Sequence, residues 1–149
     1  MSNEARRAVV AALITLAGSP DYRDRADAGR GLANFAEMPE AGEPLLELVL
    51  DAGDTSVTRA TAEALLRRQD SAGLAVVASA LATAGPNHTD WIHTAVLDVF
   101  GVIASDRDAA VQECETLGRD ANARTRRGAG HLATALAAIN PILRSARND

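Results

Sequence analysis

The stretch that decides the fold is Glu43–Leu66, which reads EPLLELVLDAGDTSVTRATAEALL. Its first part places four aliphatic side chains at helical spacing: Leu45, Leu46, Leu48 and Val49. An acidic turn follows at Asp51–Asp54, and then a second helix whose small residues allow another helix to approach closely. Neither helix can bury its apolar face alone. The stretch therefore predicts a helical pair that stacks between similar pairs.

Composition places the chain in the all-α class. Hydrophobic residues make up 47% of the 149 residues, but aromatic residues only 3%. A core rich in Ala and Leu with few rings suits closely spaced helices, whereas strands favour Val, Ile, Tyr and Phe. No segment alternates apolar and polar residues as a half-buried strand does. We expect one all-α domain over residues 1–149.

The pattern recurs along the chain and predicts four helix pairs. The second helices align through Arg25, Arg59 and His93, which lie 34 residues apart, with Arg126 33 residues further on. In this register one column is small (Ala28, Ala62, Val96, Ala129) and a second is larger (Leu32, Leu66, Phe100, ending in Ala133). The predicted units are 3–37, 41–68, 71–105 and 107–139, followed by a tail, 140–149, with room for a short helix over 142–147. Such self-similarity indicates a solenoid.

The second unit resembles a HEAT repeat. The resemblance rests on Pro44-Leu45-Leu46, on Asp51, and on the run Asp54-x-x-Val57-x-Arg59-Ala60-x-Ala62-x-Ala64-Leu65. The other units match more loosely, since His93 replaces the Arg in unit three and Arg124 the Val in unit four. The resemblance to this armadillo-like family implies a right-handed superhelix of helix pairs whose second helices line the concave surface. It implies no particular activity, because the repeat class hosts scaffolds, adaptors and enzymes.

The charge distribution favours a protein partner. The formal net charge is −5, and one stretch holds six acids and no base: Glu37, Glu40, Glu43, Glu47, Asp51 and Asp54. That stretch suggests a partner with a basic patch, although the same acids can simply solvate an outer face. A phosphate-backbone binder usually carries a basic surplus. Nucleic acid is therefore disfavoured as a partner, and the Arg124–Arg127 cluster is the feature that keeps it open.

Three arginines of the predicted second helices follow an acid in the preceding turn. The pairs are Asp21 with Arg25, Asp54 with Arg59, and Asp120 with Arg126. We interpret them as structural pairs that hold each turn to its helix, a role similar to that of such positions in HEAT repeats. The alternative is a basic ladder for an acidic partner.

Positions that depart from the repeat pattern predict the binding surface. Asp98 lies in an otherwise apolar helix, and in the repeat register it aligns with Arg30 and His131. The predicted concave patch comprises Asp27, Arg30, Thr61, Trp91, Asp98, Arg127 and His131. Trp91 fits two roles, because Trp often dominates interface energetics and a core Trp would equally fill the gap between units two and three.

Motifs for catalysis or cofactor binding do not occur in the sequence. There is no G-x-S-x-G, no Gly-rich phosphate loop and no paired Cys, so we predict a protein without catalytic residues, cofactor or metal. His88-x-Asp90-x-x-His93 has metal-ligand residue types, but two His five apart do not share a helical face. Cys114 stands alone, which indicates a reducing compartment, and we expect it to be buried.

The N-terminus is predicted to form a repeat helix rather than a signal peptide. Arg6-Arg7 precedes an apolar stretch of about ten residues, which is too short to span a bilayer. No clear A-x-A cleavage site follows it. We therefore expect a cytoplasmic protein without a membrane segment.

The sequence supports two classes of function. The first is a non-catalytic protein-binding scaffold or adaptor that uses its concave face, with a bacterial inhibitor or immunity-type protein and an enzyme-regulatory protein as versions of it. The alternative is a nucleic-acid-binding or DNA-base-processing HEAT-like protein that uses Trp91, Asp98 and the Arg124–Arg127 cluster. We expect a monomer or a weak dimer.

Overall fold

The computed structural model describes residues 1–144, and the regular elements in this range are α-helices. Eight helices occupy the described residues: α1 (Asn3–Ala17), α2 (Tyr22–Ala33), α3 (Pro39–Val49), α4 (Thr55–Arg67), α5 (Ser71–Leu81), α6 (Pro86–Phe100), α7 (Ala104–Leu117) and α8 (Ala123–Ala137). The predicted all-α class is confirmed.

Short polar side chains fix where several helices begin. Asp21, Asp54 and Asp70 accept backbone N–H bonds in the first turns of α2, α4 and α5, and Asn122 does the same for α8. Each satisfies amides that have no partner within the helix. The turns between the helices are therefore set by local sequence.

Some boundaries differ from the prediction. α3 begins at Pro39, inside the predicted loop, so Pro44 lies within the helix rather than in its first turn. Similarly, α7 begins at Ala104, inside the third predicted unit. In the predicted tail helix over 142–147, Leu143 instead pairs with Ile103 in an isolated parallel β-bridge, and residues 145–149 lie outside the described part.

The two predicted columns of the second helices form the core. Their buried members are at most 1% exposed: Ala28, Ala62, Val96, Ala129, Leu32, Leu66 and Phe100. The pattern slips in the last unit, where Ala133 is only partly buried and the neighbouring Leu132 is fully buried. This slip indicates that α8 presents a different face to the core from its predicted equivalents.

The helices stack in two rows until the last one. In one row α1, α3, α5 and α7 each contact the next; in the other α4 packs closely between α2 and α6. α8 departs from this order, because it packs mainly against α5 and α7 and has little contact with α6. The regular stacking of second helices therefore stops after α6.

Candidate functional site

A groove of about 800 Å³ runs between α6 and α8. Its walls come from the facing sides of the two helices, and the end of α5 and the residues after α8 complete it. The lining residues are Leu81, Ala82, Ala84, Thr89, His93, Val96, Leu97, His131, Thr134, Ala135, Ala138, Ile139 and Asn140. No Asp or Glu is among them, and most of the lining side chains are apolar.

The groove exists because α8 docks closely on α5. Gly128 lies so near Ala78 that a Cβ on it would overlap the Ala78 carbonyl group. Beside this contact the Ser79 and Thr125 hydroxyls lie 2.9 Å apart, and Arg124 Nε donates to the Ser79 carbonyl oxygen at 2.9 Å. These contacts hold α8 over α5 and leave a space next to α6.

The two walls of the groove run in the same direction and are linked at both ends. At the start of α8, Arg124 Nη2 donates to Thr83 Oγ1, just before α6 begins. After α8, the Ile142 N–H donates to the Gly101 carbonyl oxygen at 3.1 Å, just after α6 ends. The groove is therefore a trough between parallel helices, open along one side.

Leu97 forms part of the α6 wall of the groove. In the 34-residue register Leu97 aligns with Gly29. A Cβ on Gly29 would overlap the Thr61 side chain, so the absence of a side chain there lets α4 approach α2 closely. The same register position is Glu63 on α4, where α6 still packs closely, and Leu97 on α6. Leu97 lines the groove and remains 57% exposed.

Exposed apolar side chains continue from the groove past the end of α6. The Leu143 N–H donates to the Val102 carbonyl oxygen at 2.7 Å, and the Ala104 N–H donates to the Leu143 carbonyl oxygen at 2.9 Å, which ties the tail to the α6–α7 loop. We name as the apolar patch five residues that are 43–78% exposed: Leu97, Val102, Ile103, Ile142 and Leu143. A cluster of this kind beside a groove is typical of an interaction site.

Four of the predicted binding residues lie on the two helices that form the groove: Trp91 and Asp98 on α6, and Arg127 and His131 on α8. His131 lines the groove, with His93 on the opposite wall. Arg127 is exposed one turn before His131 on α8 and makes no salt bridge to a described residue. Trp91 is half-buried on α6 and does not line the groove, so the choice between its two predicted roles stays open.

Four of the seven predicted binding residues do not line the groove and have partners or burial elsewhere. Asp27 and Arg30 are exposed and pair with each other at 3.0 Å. Asp98 on α6 pairs with Arg59 on α4 at 2.8 Å. The placement of Thr61 on the binding surface is wrong, because its side chain is fully buried against Gly29 between α2 and α4.

None of the three predicted Asp–Arg pairs forms a salt bridge, but two of the arginines bond the preceding turn through its backbone oxygens. Arg25 Nη1 donates to the Ser19 and Pro20 carbonyls at 3.1 and 3.0 Å. Arg126 Nη1 donates to the Asp120 and Ala121 carbonyls at 2.7 and 3.0 Å. Each arginine thus bonds the carbonyls six and five residues before it. The repeat register implies this equivalence.

The carboxylates assigned to these pairs have other roles. Asp21 accepts from the Arg23 amide at 2.9 Å, Asp54 from the Ser56 amide at 2.8 Å, and Asp120 from the Asn122 amide at 2.8 Å. The Asp54–Arg59 pair is wrong, since Arg59 reaches across to Asp98 instead. A carboxylate just before a helix lies closer to the amides of the first turn than to a guanidinium further along the helix. It therefore bonds the amides.

Asp51 connects three predicted units. Its carboxylate accepts from Arg25 of α2 and from the Gly53 and Asp54 amides, and its carbonyl oxygen lies 2.7 Å from His88 Nε2 of α6. Burial by itself would raise the pKa of the Asp51 carboxyl, but the hydrogen bonds from Arg25 and the two amides outweigh it and hold that pKa below its usual value.

Half of the acidic stretch is engaged within the protein. Glu37 pairs with Arg6 and Arg68, Asp51 pairs with Arg25, and Asp54 caps α4. The remaining three acids are exposed and form no salt bridge within the described residues: Glu40, Glu43 and Glu47. The expectation that a partner's basic patch binds the acidic stretch therefore rests on these three residues alone.

Of the candidate metal ligands, His88 has a partner within the protein. His88 is bonded to the Asp51 carbonyl, and within residues 1–144 no three His, Cys, Asp or Glu side chains lie close enough to share a metal ion.

Cys114 is buried, as predicted, and burial raises the pKa of its thiol to about 11. It therefore stays protonated and unreactive at neutral pH.

The groove residues His93 and Leu97 were not among the predicted binding residues, although His93 was noted as a departure from the repeat. The signal that could have found Leu97 is its register position, which holds a glycine in the first unit and Glu63 in the second. The remaining groove residues, such as Ala135 and Ile139, carry no such signal, because only the position of α8 exposes them.

Comparisons with known proteins assign no family to the chain. No protein-family model matches the sequence, and no curated protein matches it. A crystal structure of an engineered protein from the Northeast Structural Genomics Consortium is similar at 21% identity and a TM-score of 0.39, over 86% of this chain. The chain covers 62% of that protein's length, and a likeness this low supports no conclusion. None of the described helices has the length and apolar character needed to cross a membrane.

Proposed function

We propose that the protein is a non-catalytic binding module that takes a segment of another protein into the groove between α6 and α8. The observation that carries the proposal is the continuity of this apolar groove with the apolar patch. Leu97 belongs to both and is 57% exposed. A large aliphatic side chain exposed at a concave site gains free energy when a partner covers it.

The proposed architecture is a short HEAT-like solenoid that loses its regularity after α6. The close contact at Gly29 and the matching bonds of Arg25 and Arg126 support repeated units. We propose the right-handed superhelix that the HEAT resemblance implies. In this arrangement the groove lies where a fourth second helix would otherwise stack on α6.

The nucleic-acid alternative receives little support from the geometry. Arg124 is bonded to α5 and Arg126 to the backbone of its own turn. Arg127 is exposed and has neither a salt bridge nor a side-chain hydrogen bond to a described residue. Asp98 is engaged with Arg59. One unengaged arginine in this cluster and a net charge of −5 fall short of what phosphate-backbone binding needs.

A cytoplasmic scaffold, inhibitor or enzyme-regulatory protein is consistent with this proposal. All three need a surface for another protein and no catalytic group of their own. The groove does not distinguish between them, and the identity of the retained partner would.

The proposal is tested by affinity purification from the native host with matched variants. Leu97→Asp places a charge in the groove, and Val9→Asp makes the same kind of change at an exposed aliphatic residue on α1. We expect a protein that is retained by the native chain and by Val9→Asp and lost with Leu97→Asp, all three being folded by circular dichroism. Equal retention of every partner by Leu97→Asp would contradict the proposal.

A further inference from the structure

We infer that the occupant of the groove is an amphipathic α-helix of another protein, with apolar residues on one face and carboxylates along the edge that meets α8. This inference rests on the proposed function and specifies the partner's chemistry. Three observations carry it: the shape of the trough, the scarcity of polar groups in it, and the sign of the charges beside it.

The trough is long enough to hold a short helix. Its walls are parallel helices joined at both ends by the Arg124–Thr83 and Ile142–Gly101 bonds. Along α6 the lining runs from Thr89 to Leu97, a rise of about 12 Å. Two to three turns of a bound helix span such a distance, so its apolar face would present side chains at about three positions, i, i+4 and i+7.

The lining favours a helix over an extended segment. Both walls are helices whose backbone groups are bonded internally, so the trough has no open strand edge with which an extended backbone could pair. An extended segment buried there would leave N–H and C=O groups unsatisfied, whereas a helix satisfies its own. Apolar side chains at the bottom of the trough, such as Val96 and Leu81, then contact side chains rather than backbone.

The polar groups beside the trough favour a partner helix that carries carboxylates along one edge. His93 and His131 stand on opposite walls, and Arg127 is exposed one turn before His131. None of the three forms a side-chain hydrogen bond or salt bridge with a described residue. No carboxylate lines the trough; Asp98 is held by Arg59, and Asp90, exposed on α6 one turn before His93, is the acid beside the α6 wall. Partner carboxylates on the α8 side would therefore meet the unpaired donors of Arg127 and His131, whereas the α6 side carries Asp90.

The last five residues of the sequence do not fit this role. Ser145–Asp149 contains one apolar side chain, that of Ala146. Such a segment cannot supply the three apolar positions that the trough would cover. Ser145–Asp149 is therefore not the occupant.

The probes are two synthetic peptides of about 15 residues that share a Leu face at i, i+4 and i+7. One carries Glu along its flank and the other carries Lys at the same positions. Their binding to ¹⁵N-labelled protein is followed by chemical-shift changes at low salt. We expect the Glu peptide to shift the amides of His93, Leu97 and His131. It should bind at least about fivefold more tightly than the Lys peptide, and this preference should shrink as salt rises.

Three protein variants and one altered peptide sharpen the result. Arg127→Glu should remove or reverse the preference for the Glu peptide, while Arg23→Glu, at an exposed arginine on α2 far from the groove, should leave it unchanged. Leu97→Asp should abolish binding of both peptides. A Glu peptide with a central Pro, which cannot form a continuous helix, should bind more weakly than its parent.

The outcomes separate this inference from the proposed function. Equal or tighter binding of the Lys peptide in the groove would overturn the acidic edge and leave a protein-binding groove in place. Equal binding of the Pro peptide would overturn the helix. Shifts confined to other surfaces, no binding of either peptide, or a dimer of this chain that Leu97→Asp abolishes would overturn the inference. The proposed function itself is overturned only by the purification experiment.

Discussion

Arg25 of α2 and Asp51 of the α3–α4 turn form a two-point salt bridge, with Nε–Oδ1 at 2.9 Å and Nη2–Oδ2 at 3.1 Å. The same guanidinium also bonds the carbonyls of the turn before its own helix. Arg25 therefore joins the first and second predicted units, and the Asp51 carbonyl extends the connection to His88 in the third. Both charged side chains are mostly buried, 16% and 11% exposed, so we expect this network to matter more than surface ion pairs.

Replacing Asp51 tests the network. Asp51→Ala removes the acceptor for Arg25 and for two turn amides, and we expect the free energy of unfolding to fall by about 2–3 kcal/mol in urea titrations. Glu47→Ala is the matched control, because Glu47 is exposed and forms no salt bridge within the described residues, and it should change stability by less than about 0.5 kcal/mol. Equal losses for the two variants would mean that Asp51 contributes no more than a surface acid.

The pKa of Asp51 also predicts a pH dependence. Because it is held below the ordinary value of 3.8, the native state binds this proton less readily than the unfolded state. The stability it contributes is complete above that value and is lost as pH falls through the lowered native pKa. We therefore expect the stability difference between the native chain and Asp51→Asn to be large at neutral pH and to shrink below pH 3.8, measured by urea titration at each pH. A difference independent of pH would contradict the assignment.

The buried threonines of α4 offer a stabilising change. The Thr61 and Thr58 hydroxyls are fully buried and have no hydrogen-bond partner within the described residues. Thr61→Val keeps the shape and removes the unsatisfied group, so we expect a gain of about 1–2 kcal/mol in thermal or urea unfolding. Thr125→Val is the control, because its hydroxyl is bonded to Ser79 at 2.9 Å, and this change should reduce stability instead. A loss of stability in Thr61→Val would show that the hydroxyl is satisfied.

Two glycines of α8 should respond in opposite directions to alanine. Gly128→Ala would place a Cβ against the Ala78 backbone, and we expect a loss of about 1–3 kcal/mol or more, because α8 must move away from α5. Gly130 has open space around its Cα, so Gly130→Ala should raise stability by about 0.5–1 kcal/mol through helix propensity. Urea unfolding of the two variants measures both. Similar effects at the two sites would contradict the proposed docking of α8 on α5.

The glycines of α8 also show which interhelical contact the repeat register could not predict. Periodicity located Leu32, Leu66 and Phe100 in the core because burial on a helix face is a local property. The same register equated Gly130 with Gly29, but the close contact is made by Gly128. Which helix a small face meets depends on the whole stack, and a one-dimensional register does not contain that information.

The partners of long side chains could not be predicted from sequence spacing either. Arg59 follows Asp54 closely in sequence, and the spacing suits a local pair, yet Arg59 bonds Asp98 on the neighbouring helix. A guanidinium reaches across an interhelical contact as easily as along its own chain. Asp51 was missed as the partner of Arg25 for the same reason, since 26 residues separate them. By contrast, the backbone contacts of Arg25 and Arg126 are local and followed the repeat.

The attachment of the tail to the α6–α7 loop has a practical consequence for labelling. Through the Ile142–Gly101 and Leu143–Val102 bonds, the chain after α8 is brought to the mouth of the groove, where Asn140 is already part of its lining. A fluorophore, affinity tag or surface linker joined beyond Arg144 would therefore stand in the path of an incoming partner. Residues before α1, a helix that contacts chiefly α2 and α3, are the better place for immobilisation.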